Sequence, residues 1–365
     1  MRSGSRANRL YAATFAAWIV LIVFVTADGT PVVEWFSKWR RWDAIWYETI
    51  WREGYSGRLF LLAFPPGYSA IVGTLSWLFR SPFHVVATTA NLLCYLCSCA
   101  WLANHLAARF GVPRAAVFMF ALSSPVSYFA FAPYSDVALF GALTALIVLG
   151  GSTNSRLRRE QYWLAFALMV IVPWVRLTGY GLAAWILLRK SYALGTIVAL
   201  GGWLIFNYWI AGDPIQFLRA QREFGMPEGS FLDGFSRAAA NLVPASWPIK
   251  PDAQIAWLQF HVLPVLYFGA LLASAAWFAM RAEYLLALTI LSILVLSHNQ
   301  AFWRSAVRYD LPLIPFLCIP ILSGAQTVNA ASRYSRYAVY TIIVLLQFSL
   351  QSVFARQFHE GGWSF

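Results

Sequence analysis

A carboxylate set among arginines and tryptophans, in Arg41-Trp42-Asp43-Ala44-Ile45-Trp46-Tyr47, is the group in this chain best suited to proton-transfer chemistry. It follows closely on the first apolar run of membrane length. Trp35, Trp39, Trp42 and Trp46 recur at intervals of four, three and four residues, the spacing of one helical stripe. Tryptophan favours the headgroup level of a bilayer, where its ring is in apolar surroundings and its N–H stays wet. The pattern predicts a helix lying on a membrane face and holding Asp43 at the boundary of lipid and water. On such a helix Arg40 and Tyr47 share the side of Asp43. An ionised carboxylate so placed can act as general base toward a hydroxyl. Spacing alone fits equally well a solvated loop acid paired with an arginine.

Further candidates lie downstream. Asp136, in Pro133-Tyr134-Ser135-Asp136, stands between two apolar runs, where it can bind an acceptor hydroxyl or assist Asp43. It also reads as the N-cap of a helix from 137, and the two roles are compatible. Arg176, in Val175-Arg176-Leu177-Thr178-Gly179, interrupts an apolar stretch. A guanidinium at membrane depth demands a partner. A phosphate matches its bidentate fork, and a buried carboxylate is the structural alternative. Arg304 and Arg308, at the start of a late span, read in the same way, with Asp310 as an internal partner for Arg308. Gly212-Asp213-Pro214-Ile215-Gln216 is a helix start, with Asp213 as N-cap and Gln216 as return cap, and structure accounts for it better than catalysis. His298 and Asn299 close a span at the outer face; the histidine is a substrate-binding candidate, although a lone His is more often a hydrogen-bonded structural group. Gly-rich phosphate loops, zinc triads and nucleophile elbows are absent from the sequence. No obligatory metal is expected, because arginine alone can neutralise a phosphate leaving group, though outer-face acids could hold Mg²⁺ or Mn²⁺.

The elements that must position these residues follow from composition. The chain has 365 residues, of which 60% are hydrophobic and only 12% charged. A soluble domain carries about 25% charged residues, so a polytopic membrane protein is expected. The formal charge is +12, but the basic residues sit in short clusters between apolar runs, which argues against nucleic-acid binding. Cys94, Cys97, Cys99 and Cys318 fall inside apolar runs and read as small buried residues, without disulfide or metal spacing. Arg2, Arg6 and Arg9 before an apolar run imitate a signal peptide, and a retained first span is expected.

Apolar runs lie near 10–27, 62–79, 84–106, 114–132, 135–151, 161–174, 178–189, 193–211, 254–280, 283–300, 309–325 and 336–354. Pro125, Pro133, Pro173 and Gly179 break the middle ones, as in helices that line a cavity. With the N-terminus, 107–113 with Arg114, 152–160, 189–192, 281–283 and 326–335 with Arg336 on the cytoplasmic side, that side holds thirteen basic against two acidic residues. The other side holds fourteen against thirteen, in keeping with the positive-inside rule. Parity then makes 62–79 a re-entrant or surface-lying segment and gives about eleven spans. The expected fold class is an all-α polytopic membrane protein in one domain, 1–365, with outer loops at 28–60 and 212–253. Acids gather on that outer surface, which suggests a site there.

At these residues the chain resembles a known family. Arg41-Trp42-Asp43-Ala44, Gly54-Tyr55 and Phe64-Pro65-Pro66 are similar to the first-loop signature of the PIG-V-type mannosyltransferases. Ser124-Pro125-Val126-Ser127 with Ala132-Pro133-Tyr134-Ser135-Asp136 resembles that family's P-A-S … A-P-Y-S-E stretch, with Asp in place of Glu. Arg176 with Gly179, Gly212-Asp213-Pro214 through Gln221, and Arg308-Tyr309 resemble later stretches, so the likeness spans about residues 40–310. The resemblance implies a GT-C glycosyltransferase fold with an extracytoplasmic site. It further implies a polyprenyl- or dolichyl-phosphate sugar donor, usually mannose, and a glycolipid or glycan acceptor. Asp43 would be the catalytic base; Arg176, Arg304 or Arg308 would stabilise phosphate charge. Arg41, Tyr47, Tyr134, Asp136 and His298 complete the candidate substrate site. A bacterial plasma-membrane protein with a non-GPI acceptor fits this compact chain better than an enzyme of the endoplasmic reticulum. The rival class is a transporter or lipid flippase, for which broken helices and intramembrane arginines are also typical. The absence of a clear internal repeat and the placing of acids in loops count against it. A noncatalytic assembly subunit, in which Asp43 would be dispensable, is a third reading.

Overall fold

Every regular element among the described residues is helical. The computed structural model describes residues 2–150, 159–180, 190–223, 231–240, 242, 251–298, 308, 310–323 and 330–361. The helices are α1 (Arg2–Thr26), α2 (Val32–Lys38), α3 (Asp43–Glu53), α4 (Pro66–Phe79), α5 (Phe83–Phe110) and α6 (Arg114–Ser123). They continue with α7 (Asp136–Gly150), α8 (Arg159–Val175), α9 (Lys190–Ala211), α10 (Gln216–Glu223) and α11 (Phe231–Ala240). The last five are α12 (Pro251–Trp257), α13 (Leu263–Met280), α14 (Tyr284–His298), α15 (Ile314–Leu322) and α16 (Ala330–Glu360).

Among the described residues five stretches are long and apolar enough to cross a membrane: Arg9–Thr26, Phe83–Phe110, Ala193–Ala211, Ala253–Met280 and Tyr334–Glu360. Shorter apolar helices cover Arg114–Ser123, Asp136–Leu149, Glu160–Val175, Tyr284–Leu296 and Leu311–Leu322. Large apolar side chains such as Phe24, Ile205, Trp209, Leu266 and Met280 are exposed on the helix flanks. In water such a surface would aggregate; in hydrocarbon it is solvated. The protein is a helical membrane protein whose partner on these faces is the lipid bilayer.

The apolar run 114–132 is not one helix. α6 stops at Ser123, where Ser124 is extended (φ −48°, ψ 134°), the conformation that Pro125 favours in the residue before it. The chain then runs through a short 3₁₀ turn, Ser127–Ala130, to Asp136, and all of Ser124–Asp136 is buried. Carbonyls left without helical partners in a membrane interior must be satisfied by side chains. Here α5 and α16 supply them. Tyr95 donates to Ala121 O (2.7 Å), Thr88 to Phe131 O (2.8 Å), and Asn91 to Ala132 O (2.8 Å) and Tyr134 O (3.0 Å). Gln351 and the Ser127 hydroxyl both donate to Leu122 O, at 3.1 and 2.7 Å. The broken segment is thus a fixed strap leading into Tyr134-Ser135-Asp136.

α4 has 14 residues, about 21 Å at 1.5 Å per residue, against a hydrocarbon core of ~30 Å. Two glycines let α4 approach its neighbours. A Cβ on Gly67 would lie 2.6 Å from the Trp174 carbonyl, and one on Gly73 would lie 1.9 Å from the ring of Trp51. α3 and the end of α8 are thereby drawn together over α4. At the opposite end of the bundle Arg109 Nε donates to Glu283 Oε1 (2.9 Å), so the end of α5 and the start of α14, assigned by charge to one side, lie together.

Candidate active site

The tryptophan stripe of the first loop is split between two helices. α2 ends at Lys38 and α3 begins at Asp43, so the four indoles do not share one surface. Trp39 is fully buried, with its ring on Phe131 (5.2 Å between centroids) and Phe358 (5.7 Å). Trp35 is buried too and donates to Thr26 Oγ1 at 3.1 Å. Core packing of two large rings outweighs the helical periodicity that the sequence suggested. Arg40 consequently does not neighbour Asp43; it pairs with Glu48 at 2.6 Å, and Arg52 takes the other Glu48 oxygen at 2.7 Å.

The chain enters α3 through Trp42 at φ 56°, ψ −120°, a conformation that a bulky residue seldom adopts. Strain of this kind persists only where surrounding contacts enforce it, and such positions cluster at functional sites. The very next residue is Asp43.

Four charged groups from distant parts of the chain form one connected row. Arg308 Nη2 lies 2.6 Å from Asp43 Oδ2, and Arg308 Nε lies 3.6 Å from Asp136 Oδ2. Arg176 Nη2 lies 3.0 Å from the other Asp136 oxygen. Arg176 Nη1 donates to Ser135 Oγ (2.9 Å), which in turn is 2.6 Å from the hydroxyl of Tyr47. Tyr134 places its ring against the Arg308 guanidinium, 4.5 Å from carbon to centroid, and donates its hydroxyl to the backbone carbonyl of Arg41 (3.0 Å). Burial grades along the row. Side-chain exposure is 1% for Asp136, 8% for Arg308, 9% for Arg176 and 24% for Asp43, so Asp43 is the end open to the surface.

Tyr47 is wholly buried between α3 and α4, and loss of hydration pushes its phenol up to about 12, an effect larger than the opposing pull of Arg176. It is a neutral hydrogen-bonding group at ordinary pH. The sequence predicts Asp136 as an N-cap, but its carboxylate is turned to the two arginines; Ser135 provides the first helical carbonyl, accepting from Leu139 N at 3.1 Å.

The row unites Asp43, Tyr47, Tyr134, Asp136, Arg176 and Arg308. The guanidinium of Arg41 is directed elsewhere, to Lys38 O (3.0 Å) and His359 O (3.3 Å), where it ties the first loop to the end of α16. His298 ends α14, and its side chain lies outside the described residues, as does Arg304. Asp213 accepts from Ile215 N (3.0 Å) and pairs with Arg219 (3.0 Å), the structural role expected of it. Asp310 is fully buried. Two residues carry no role in the sequence reading: Ser135, which joins the row, and Glu48, which holds Arg40 away from it. Ser135 sits inside the Tyr-Ser-Asp motif, but a serine carries no charge to draw attention. Glu48 sits one turn from Arg52, a spacing that could have been read as an ion pair.

Among the described residues there is no group of three or more His, Cys, Asp or Glu side chains that could hold a metal ion. Asp43 and Asp136 both face guanidinium groups. No family model, curated protein or solved structure matches this chain.

Proposed function

We propose that the chain is a membrane glycosyltransferase of GT-C type, with about eleven spans, acting at the extracytoplasmic face of a bacterial plasma membrane. Its donor is a polyprenyl- or dolichyl-phosphate sugar, with mannose as the sugar, and its acceptor is a hydroxyl of a glycolipid or glycan. The observation that carries this reading is the meeting of Asp43, Asp136, Arg176 and Arg308, from four separate motif stretches, in a single row. A base beside guanidinium groups is what transfer from a phosphate-linked sugar requires.

In the reaction, Asp43 takes the proton of the acceptor hydroxyl, and the oxygen attacks the anomeric carbon. The bond from that carbon to the phosphate oxygen breaks, and the electron pair leaves with the lipid phosphate. Attack from the far side inverts the anomeric configuration. Arg308, and Arg176 behind it, stabilise the negative charge gathering on the phosphate; preorganised donors of this kind commonly supply more of an enzyme's rate enhancement than any other effect. Asp136 keeps the two guanidiniums apart and oriented.

The test is transfer by purified protein in liposomes holding a mannosyl-phosphoryl polyprenol and a membrane glycolipid extract, with products read by mass spectrometry. A mannosylated acceptor, absent with Asp43→Asn, supports the proposal. Wild-type turnover by that variant would remove Asp43 from its role. Movement of the labelled lipid between leaflets without any transfer would favour the flippase reading instead.

A further inference from the structure

Arg308 serves two carboxylates with one guanidinium, and they differ in access. Asp136 is sealed in the protein and has Arg176 as a second partner at 3.0 Å. Asp43 has its closest ion pair with Arg308, at 2.6 Å, and is the member of the row that reaches the surface. The other face of the guanidinium is covered by the Tyr134 ring. Among the described residues, the surface-reaching group on the Arg308 guanidinium is therefore the Asp43 carboxylate, at Nη2. The row contains two carboxylates and two guanidiniums, so it offers no excess positive charge to a newcomer. Among the described residues, the other titratable groups facing Asp43 are Tyr47 and Tyr134, both buried phenols.

We infer that Arg308 is a phosphate-ester site that Asp43 occupies in the resting protein, and that the donor phosphate and the Asp43 carboxylate exchange places on it. The inference rests on the reading above, since the phosphate is the donor's. Its consequence is a built-in order of events. While Asp43 is paired with Arg308, its Oδ2 is held by the guanidinium at 2.6 Å and is not free to take an acceptor's proton. When the phosphate takes the guanidinium, Asp43 is released beside the donor and becomes able to accept the acceptor's proton. Asp43 cannot then activate an acceptor hydroxyl, or water, before a donor is present.

The exchange makes a prediction opposite to that for an ordinary binding residue. Removing the charge of Asp43 should tighten phosphate binding, because the ligand no longer competes with it. The measurement is titration of the detergent-solubilised full chain with farnesyl phosphate, and separately with inorganic phosphate, at fixed pH and salt. Asp43→Asn and Asp43→Ser should each lower the farnesyl phosphate Kd about fivefold, the scale of one partly exposed ion pair. Asp43→Glu should leave it near wild type. In an Arg308→Gln background, itself weaker in binding, the Asp43→Asn change should have no effect. An unchanged or raised Kd in both the Asn and Ser variants overturns the exchange while leaving the glycosyltransferase reading standing. Tightening toward inorganic phosphate with no binding of farnesyl phosphate upholds the exchange and rejects a lipid donor. Failure of wild type and all variants to bind either probe rejects both.

Discussion

The hydroxyls of Tyr47 and Ser135 lie 2.6 Å apart although 88 positions separate them in the chain. The bond fastens α3, which carries Asp43, to the start of α7, which carries Asp136. Ser135 also receives Arg176, so one small hydroxyl joins the first loop to the end of α8. Tyr47→Phe removes the phenolic partner and keeps the ring. We expect a loss of about 1 kcal/mol in stability, the typical net worth of one hydrogen bond, measured by thermal unfolding in detergent.

The same tyrosine gives a pH prediction. Its folded phenol holds its proton up to about 12, against an ordinary value of 10.0 when unfolded. A group raised on folding contributes stability that is complete below the unfolded value and is lost as pH rises through the folded one. The stability difference between wild type and Tyr47→Phe should therefore be flat below pH 10 and shift against the wild type between pH 10 and about 12. Unfolding curves across that range would show it, and a change setting in near neutrality would refute the burial of the phenol as the cause.

Asp43→Asn keeps the shape of the side chain and removes the base. Transfer should fall by at least a hundredfold, the lower range for loss of a general base, while the protein elutes as a folded species. Initial-rate assays at saturating donor provide the check.

Arg176 and Asp136 form a buried pair within a row of two carboxylates and two guanidiniums, so removing either leaves one buried charge in excess. Arg176→Gln or Asp136→Asn alone should destabilise by about 3 kcal/mol or more, and the double variant by less than the sum. A thermodynamic cycle in a mild detergent measures the coupling. Purely additive values would show that the two charges do not sense each other.

Gly73→Ala would drive a methyl into the Trp51 ring, at a distance no real contact tolerates. Either the ring moves or α3 lifts from α4, costing about 1–3 kcal/mol for overpacking. Trp51→Ala in the same chain should recover part of that loss, because it empties the space. Absence of any rescue would mean that the clash is relieved by backbone movement instead.

The residues themselves determined the class of this molecule and most of the groups worth testing. Sixty per cent hydrophobic content in membrane-length runs leaves few alternatives to a helical membrane protein. Pro125 marks a break because proline disfavours a helical residue before it, although Pro173 stays inside α8, and Arg176 and Arg308 stand out because charge is rare in apolar surroundings. Such signals are local, and a one-dimensional reading captures them. Partner choice is not local. Asp43 and Arg308 are 265 positions apart, and only helix packing decides that this arginine reaches Asp43 while Arg40 turns to Glu48. The split of the tryptophan stripe has the same origin: Trp39 gains more by stacking in the interior than by continuing a helix along the surface. Periodicity sets which side chains share a face of one helix, but the burial of whole helices against each other decides which faces meet.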